Sequence, residues 1–262
     1  VLFRSVLDGF PGGALAVVNA TIETGLGNGL VVEDGATLLE FATNRFGDLA
    51  EAPVRIVPDQ VAKLDTLSTF ASSNADNRIA IDEFGSLSVD AIWVDPGVPF
   101  SVTDELVVGA SLTLSPGIEL QFDGSVRLRV NTGGALIADA SGSDAIRFVG
   151  SIPLPGWWRG IQIDSDDSAN IMDNVEIRHA GELDGMSGSE EANLYLYGGL
   201  ENAALTLRNS VLADGAAHGV AYDSNTNLTD GTNGPSSLSG VTFSNIGDDL
   251  PPPPAYSDYA EL

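Results

Sequence analysis

The sequence predicts an all-β coil in which three short strands make each rung. Three observations carry that prediction. Short alternating apolar segments recur along the whole chain, each bounded by Gly, Asn, Asp or Ser. Comparable segments start at Gly29, Pro53, Arg78 and near Phe100, and again at Gly160, Ala192 and Gly219, a loose period of roughly 22 to 32 residues. A longer internal copy supports the repeat. "ALAVVNATIETGLGNGLVVED" from Ala14 resembles "ALTLRNSVLADGAAHGVAYDS" from Ala204, with Asn19, Gly25 and Gly29 matching Asn209, Gly215 and Gly219 at one common offset.

In chain order the main strand candidates are "LAVVNATI", "GLVVED", "PVRIV", "RIAID", "LTLSPGIELQF", "LRV", "AIRFVG", "GIQID", "NVEIRHA", "NLYLYG", "LTLRNSVL", "GVAYD" and "LSGVTF". A meander would join paired neighbours by Asn-Gly or Asp-Gly hairpin turns. Variable turns between repeated strands fit stacked rungs instead. Helical periodicity is weak: Val57 to Phe70 has room for one helical turn and is read as loop.

In such a coil every strand pairs with its equivalents one rung above and below, about 4.8 Å away. Alternate residues then enter a column of stacked side chains, as expected for Ile161 with Ile163 and for Leu205 with Leu207. Corners need tight bends, which accounts for Gly160, Gly199 and Gly219. Asn174 and Asn209 precede "VEI" and "SVL" and read as a hydrogen-bonded ladder pair, with Asn19 in an earlier ladder.

Composition narrows the function classes. Hydrophobic residues make up 43% of 262, so a sizeable core can form, yet Asp and Glu number 37 against 11 Lys and Arg, a net charge of -26. Disordered acidic tails are poor in apolar residues, so this pattern implies a folded body with carboxylates on its surface. Such a surface repels nucleic acid and anionic lipid. Lys63 is the only lysine. Cysteine is absent, which excludes disulfides and Cys-ligated metals but not secretion. No apolar run reaches the ~18 residues of a membrane helix, so no membrane insertion is expected.

Residues 1–5 have a codon spelling that resembles the end of a sequencing adapter and read as a scar. The coil is expected over 6–250. "LPPPPAYSDYAEL" reads, over 251–262, as a stiff linker or the start of a further module, because prolines cannot continue a ladder. The whole is taken as a piece of a longer chain whose neighbouring modules are partners.

From about Leu15 to Asp249 the chain resembles the pectate-lyase-like superfamily, and most of all its secreted bacterial and archaeal repeat proteins. The most specific stretch contains the corners Pro116-Gly117 and Gly133-Gly134 and the strand entry Trp158-Arg159-Gly160-Ile161. The resemblance implies a right-handed parallel β-helix solenoid of roughly ten rungs. It implies function poorly, because that scaffold carries lyases, hydrolases, adhesins and stalks.

"PGWWRGIQID" holds two of the three tryptophans. Trp158 is expected to pack at a corner or over a rung edge. Adjacent strand residues face opposite ways, so Trp157 should be outside unless a loop such as "SIPLP" covers it. An exposed Trp157 beside Arg159 could stack on a sugar ring while the guanidinium binds a uronate or sulfate. No cofactor is expected except Ca²⁺, whose weak candidates are Asp164, Asp166 and Asp167 in "DSDDS", Asp248-Asp249, and Asp223 and Asp230 in "DSNTNLTDGTNG". The competing reading is solvated acidic turns.

His179 and His218 are the only histidines, and neither has a second His at metal-ligand spacing. Polygalacturonase-like hydrolases would need Asn-Thr-Asp-like, Gly-His-Gly-like and Arg-Ile-Lys-like strands; His218-Gly219 matches part of one. A pectate-lyase-like member would need a Ca²⁺ cluster and an arginine or lysine base of lowered proton affinity, for which Arg178 beside His179 is the residue to inspect. No nucleotide loop or serine elbow appears. The expectation is a secreted or cell-surface scaffold or adhesion module, contacting glycan, without catalysis; the alternative is a lyase or hydrolase acting on an acidic polysaccharide with Ca²⁺.

Overall fold

The computed structural model of this chain describes residues 5–7, 13–81, 86–182, 191–199, 202–247 and 259–261. Val1–Arg4, Asp248-Asp249 and the four prolines lie outside them.

The chain winds as a parallel β-helix with three strands per turn. Phe100–Val102, Leu106–Val108 and Ser111–Leu114 lie in three different sheets, and Glu119–Phe122 returns to the first sheet one rung on. These sheets hold ten, seven and six strands. In the ten-stranded sheet Phe100 faces Leu120, then Phe148, Ile177, Leu212 and Phe243 in register. In the seven-stranded sheet Leu106 stacks on Leu128, Ile161, Leu194 and Val220. Because the side-chain period of a strand is two, every second residue is carried inward. Ile161, Ile163, Leu205 and Leu207 are accordingly all buried.

The rung length is not constant. Leu30 pairs with Val54, but Ile177 pairs with Leu212. Extra residues go into turns, because the register of the inward columns must hold wherever a face is buried.

The first rungs use smaller sheets, of two and three strands. There Val57–Phe70 departs from the expected loop: Pro58–Val61 is a helical turn and Thr69–Ser72 a strand. Pro58 starts the helix, where its missing N–H costs nothing. Val61 and Leu64 are buried. The helix takes a strand's place between two rungs. Leu38 N–H donates to Gln60 Oε1 (2.9 Å), and Ser88 N–H donates to Asp59 Oδ1 (2.7 Å). In the core of these rungs Phe41, Phe46 and Phe70 stack on one another, with ring centroids 5.5 to 6.1 Å apart.

Asn174 and Asn209 stand one rung apart at one corner, both with left-handed φ, 57° and 50°. Their side chains do not bond each other. Asn174 Nδ2 donates to the carbonyls of Ala140 (3.1 Å) and Ser143 (2.9 Å), and Asn209 Nδ2 donates to Asp173 (2.9 Å). The polar ladders lie inside the coil instead. Backbone N–H groups of Ala20, Leu49, Leu136 and Val175 donate to Asn44, Asn74, Asn170 and Ser210, each one rung later. Where the chain turns, an N–H points inward without a strand partner, and a buried donor must be satisfied.

The internal copy holds strand by strand: Ala14–Val18, Thr21–Glu23 and Leu30–Val32 match Ala204–Arg208, Val211–Ala213 and the middle of His218–Asp223. The copies are shifted by one face, however. Leu30–Val32 belongs to the ten-stranded sheet and His218–Asp223 to the seven-stranded one. Asn19 therefore shares its corner with Thr43, whose hydroxyl donates to its Oδ1.

Of the three corner glycines, Gly160 has φ of 104°, and a Cβ there would lie 2.3 Å from Ala192 O. Gly219 sits within a strand, and Gly199 lies against the Tyr197 ring, where a Cβ would approach to 2.2 Å. At the far end, Tyr259–Glu261 pairs antiparallel with Ala221–Asp223.

Candidate functional site

The two tryptophans lie in a bend ahead of the strand that starts at Gly160, so strand alternation does not apply to them, and both pack on the core to different depths. Trp158 is fully buried, its ring stacked on Phe122 at 4.1 Å, and its indole N–H donates to Arg178 O (2.8 Å). Trp157 is half-buried against the core. Its Nε1 donates to Ser151 Oγ (3.0 Å), so the "SIPLP" segment does cover it.

Arg159 points elsewhere, to the outer face of the seven-stranded sheet. Outward residues there run Val107, Arg129, Gln162, Tyr195, Ala221, one per rung. Two adjoining depressions open on this face. Arg127, Arg159, Gln162, Glu182, Glu191 and Tyr195 line one. Asp104, Glu105, Ser125, Arg127, Arg129 and Arg159 line the other. They share Arg127 and Arg159, but the first has room for only about 10 Å³, about one water molecule, and the second for about 410 Å³.

Each of these arginines lies within 4 Å of a carboxylate, but only the Arg129 contact is a hydrogen bond; Arg159 Nε and the facing Glu182 Oε2 are buried and make none. Arg129 Nε donates to Asp164 Oδ2 at 2.6 Å. Arg127 Nε lies 3.7 Å from Glu105, and its Nη1 donates to Gln162 Oε1. Gln162 Nε2 in turn donates to Asp164 Oδ1 (2.7 Å). Arg159 lies 3.6 Å from Glu182, whose other oxygen accepts from Ser125 Oγ (2.6 Å). Beside these depressions, Tyr195 OH donates to Asp223 (3.2 Å), and Tyr197, 40% exposed, offers a ring 6.1 Å from that of Tyr195.

Arg178 and His179 lie on the ten-stranded sheet instead. Arg178 is held by Asp214 (2.9 Å) and Glu176 (3.2 Å). Burial opposes its charge, but the bonds to Asp214 and Glu176 prevail and hold its pKa above the ordinary arginine value. That is the wrong direction for a proton-abstracting base. His179 has left-handed φ of 66°, and burial lowers its pKa.

The acidic candidates do not converge. Asp164 serves Arg129 and Gln162, and Asp167 accepts from Ala169 N–H. Asp223 accepts from Tyr195 and Gly198 N–H. Asp230 is taken up by N–H donors of Thr232, Asn233 and Ser239, which lower its pKa to about 2. Asp166 is exposed. Among the described residues no three His, Asp or Glu side chains are grouped to hold a metal ion, and no helix is long and apolar enough to cross a membrane.

Sequence reading singled out Arg159 as a glycan contact and Asp164 as a Ca²⁺ ligand, without placing them on one face, and missed Gln162, Glu182, Glu191, Tyr195 and Tyr197. The tyrosines were legible: in "NLYLYG" the leucines alternate inward and the tyrosines outward. The glutamates were not, since only stacking brings them beside Arg159.

Comparison with protein-family models, with curated proteins and with solved structures gave no match.

Proposed function

We propose that this chain is a secreted or cell-surface β-helix scaffold that contacts glycan through the outer face of the seven-stranded sheet and does no chemistry on it. The supporting observation is the polar depression of about 410 Å³ lined by Arg127, Arg129 and Arg159 with Asp104, Glu105 and Ser125, together with the exposed Tyr197 ring on the neighbouring part of the chain. Planar polar side chains beside an aromatic ring suit hydroxyl-rich ligands. The pectate-lyase-like kinship and the neighbouring modules belong to the same proposal.

Affinity electrophoresis in gels containing soluble polysaccharides tests it. Retarded migration that Tyr197→Ala weakens, with no new ultraviolet-absorbing or reducing ends, is the expected result. Unsaturated products, with or without Ca²⁺, would replace the scaffold reading by a lyase.

One observation favours a second reading, a glycoside hydrolase: Glu182 and Glu191 line the same depression, and such enzymes use a pair of carboxylates. Release of reducing ends that both Glu182→Gln and Glu191→Gln abolish would establish it.

A further inference from the structure

We propose that Asn233 is a modification site: the chain converts it spontaneously to aspartate and isoaspartate, and the product loosens the turn that leads into the last parallel strand of the coil. The proposal is independent of glycan contact.

The chain has two Asn-Gly pairs, Asn28-Gly29 and Asn233-Gly234. In such a pair the glycine's backbone nitrogen can attack the asparagine Cγ, because no Cβ screens it. The N–Cγ bond forms, the nitrogen gives up its proton, and Nδ2 leaves with a proton as ammonia. Water then opens the cyclic imide at either carbonyl. One opening restores the peptide as aspartate; the other reroutes it through the former side chain as isoaspartate. Water is the only co-reactant.

The fold treats the two pairs differently. Gly29 N–H donates to Ala52 O (3.2 Å), and Gly29 is buried, so close to its neighbours that a Cβ would lie 2.7 Å from the Phe46 ring and from Pro53 O. Its nitrogen cannot pivot towards Asn28 without opening the rung. Gly234 is exposed, has nothing within 4 Å of where a Cβ would lie, and donates no hydrogen bond among the described residues. The Asn233 carbonyl, at the other end of that peptide group, accepts from Thr229 Oγ1 (2.7 Å) and from Asp230 N–H (3.1 Å). Donors at that oxygen stabilise the charge that spreads onto it when the Gly234 nitrogen loses its proton. Asp230 Oδ2 holds Asn233 Nδ2 at 2.9 Å and acts as a brake, but Asn233 is exposed, and a bond in contact with water opens readily.

The consequence follows from the same contacts. Asp230 accepts from the N–H groups of Thr232 (2.7 Å), Asn233 (2.5 Å) and Ser239 (3.0 Å), tying together the turn between Asn227–Thr229 and Thr242–Ser244. An aspartate at 233 replaces an amide donor with a second carboxylate facing Asp230, and like charges at that range repel. The iso form also takes the Asn233 carbonyl out of the chain, and with it the bonds from Thr229 and Asp230.

The test incubates the full chain at mildly alkaline pH, folded and in urea, and follows both pairs by peptide mass spectrometry with an isoaspartate-specific methylation assay. Expected in the folded chain is conversion at Asn233, with Asn28 about tenfold or more behind, and near-equal rates in urea. Gly234→Ala, which the backbone accepts at φ of -84°, should slow the reaction at Asn233. Asn233→Asp, the product made directly, should quicken amide exchange at Ser239; if it fails to fold, exchange in the partly converted unaltered chain gives the same readout. No conversion at Asn233 in the folded chain, equal conversion of the two pairs there, or an Asn28 lag that persists in urea overturns the site. An unslowed Gly234→Ala overturns attack by that nitrogen, and unchanged exchange at Ser239 overturns the loosening.

Discussion

Phe122 and Trp158 lie face to face, ring centroids 4.1 Å apart and planes within 5°. Phe122 ends a strand of the ten-stranded sheet, and Trp158 stands at the entry to Gly160–Ile163 in the seven-stranded sheet. The stack therefore joins two faces of the coil across its interior. Trp158→Ala is expected to lower the unfolding free energy by about 3–5 kcal/mol, the range for emptying a large aromatic site. Trp157→Ala should cost clearly less, because that ring is half-buried. Denaturant melts of the two variants compare them directly, and equal losses would refute the division of roles.

The buried ladder can be probed at one rung. Asn170 Oδ1 accepts from Leu136 N–H at 2.8 Å, and the Asn170 side chain is buried. Asn170→Ala leaves that donor unsatisfied, at a cost of about 1–3 kcal/mol. Amide exchange should quicken most at Leu136, and uniform quickening would show that the bond has no local role.

His179 makes stability depend on pH near neutrality. Burial lowers its folded pKa, with Asp214 opposing and Arg178 adding to the effect. The unfolded chain then binds a proton more readily than the folded one. Stability should be fullest above the unfolded histidine value, about 6.5, and fall as pH drops below it. His179→Asn should remove that slope. The left-handed backbone tolerates it, since Asn245 adopts the same conformation, with φ of 51°. Melting temperatures across about pH 5 to 7 decide.

Asp230 acts at lower pH. Backbone and side-chain donors depress its pKa to about 2. Its contribution is present above the unfolded aspartate value, about 3.9, and is lost as pH falls towards about 2. Asp230→Asn should flatten the acid limb of the stability curve in that window. An unchanged limb would show that the Asp230–Ser239 turn does not matter to folding.

Salt should raise the melting temperature. At a net charge of -26 the folded body repels itself, and ~0.1 M salt screens charges beyond about 10 Å. The exposed ladder Glu119–Arg147–Glu176, at 3.6 and 4.0 Å, loses strength at the same time. Each such pair is worth less than about 1 kcal/mol, so screening prevails. A melting temperature that stays flat or falls in a NaCl titration would contradict this balance.

Much of the coil could be read directly. The stacked starts at Leu30, Val54 and Ile79 and at Ile161, Leu194 and Val220 follow the repeat seen in the letters. The turn at Pro58–Val61 was less legible, since four residues are too few to show a helical period. The ladder residues were misplaced by one position: Asn174 and Asn209 mark the corner, and the residues after them, Val175 and Ser210, carry the interior bond.

Alternation is local, so the order of residues alone decided which side chains enter the core and which, such as Tyr195 and Tyr197, stay on the outside. Which residues become vertical neighbours is a different matter, because turns of unequal length separate them. Only the wound chain set Arg129 beside Gln162 and Gln162 beside Tyr195, and brought Glu182 to Arg159. The packed interior enforces those juxtapositions, since a slip of one residue along any strand would turn its apolar side chains out to water.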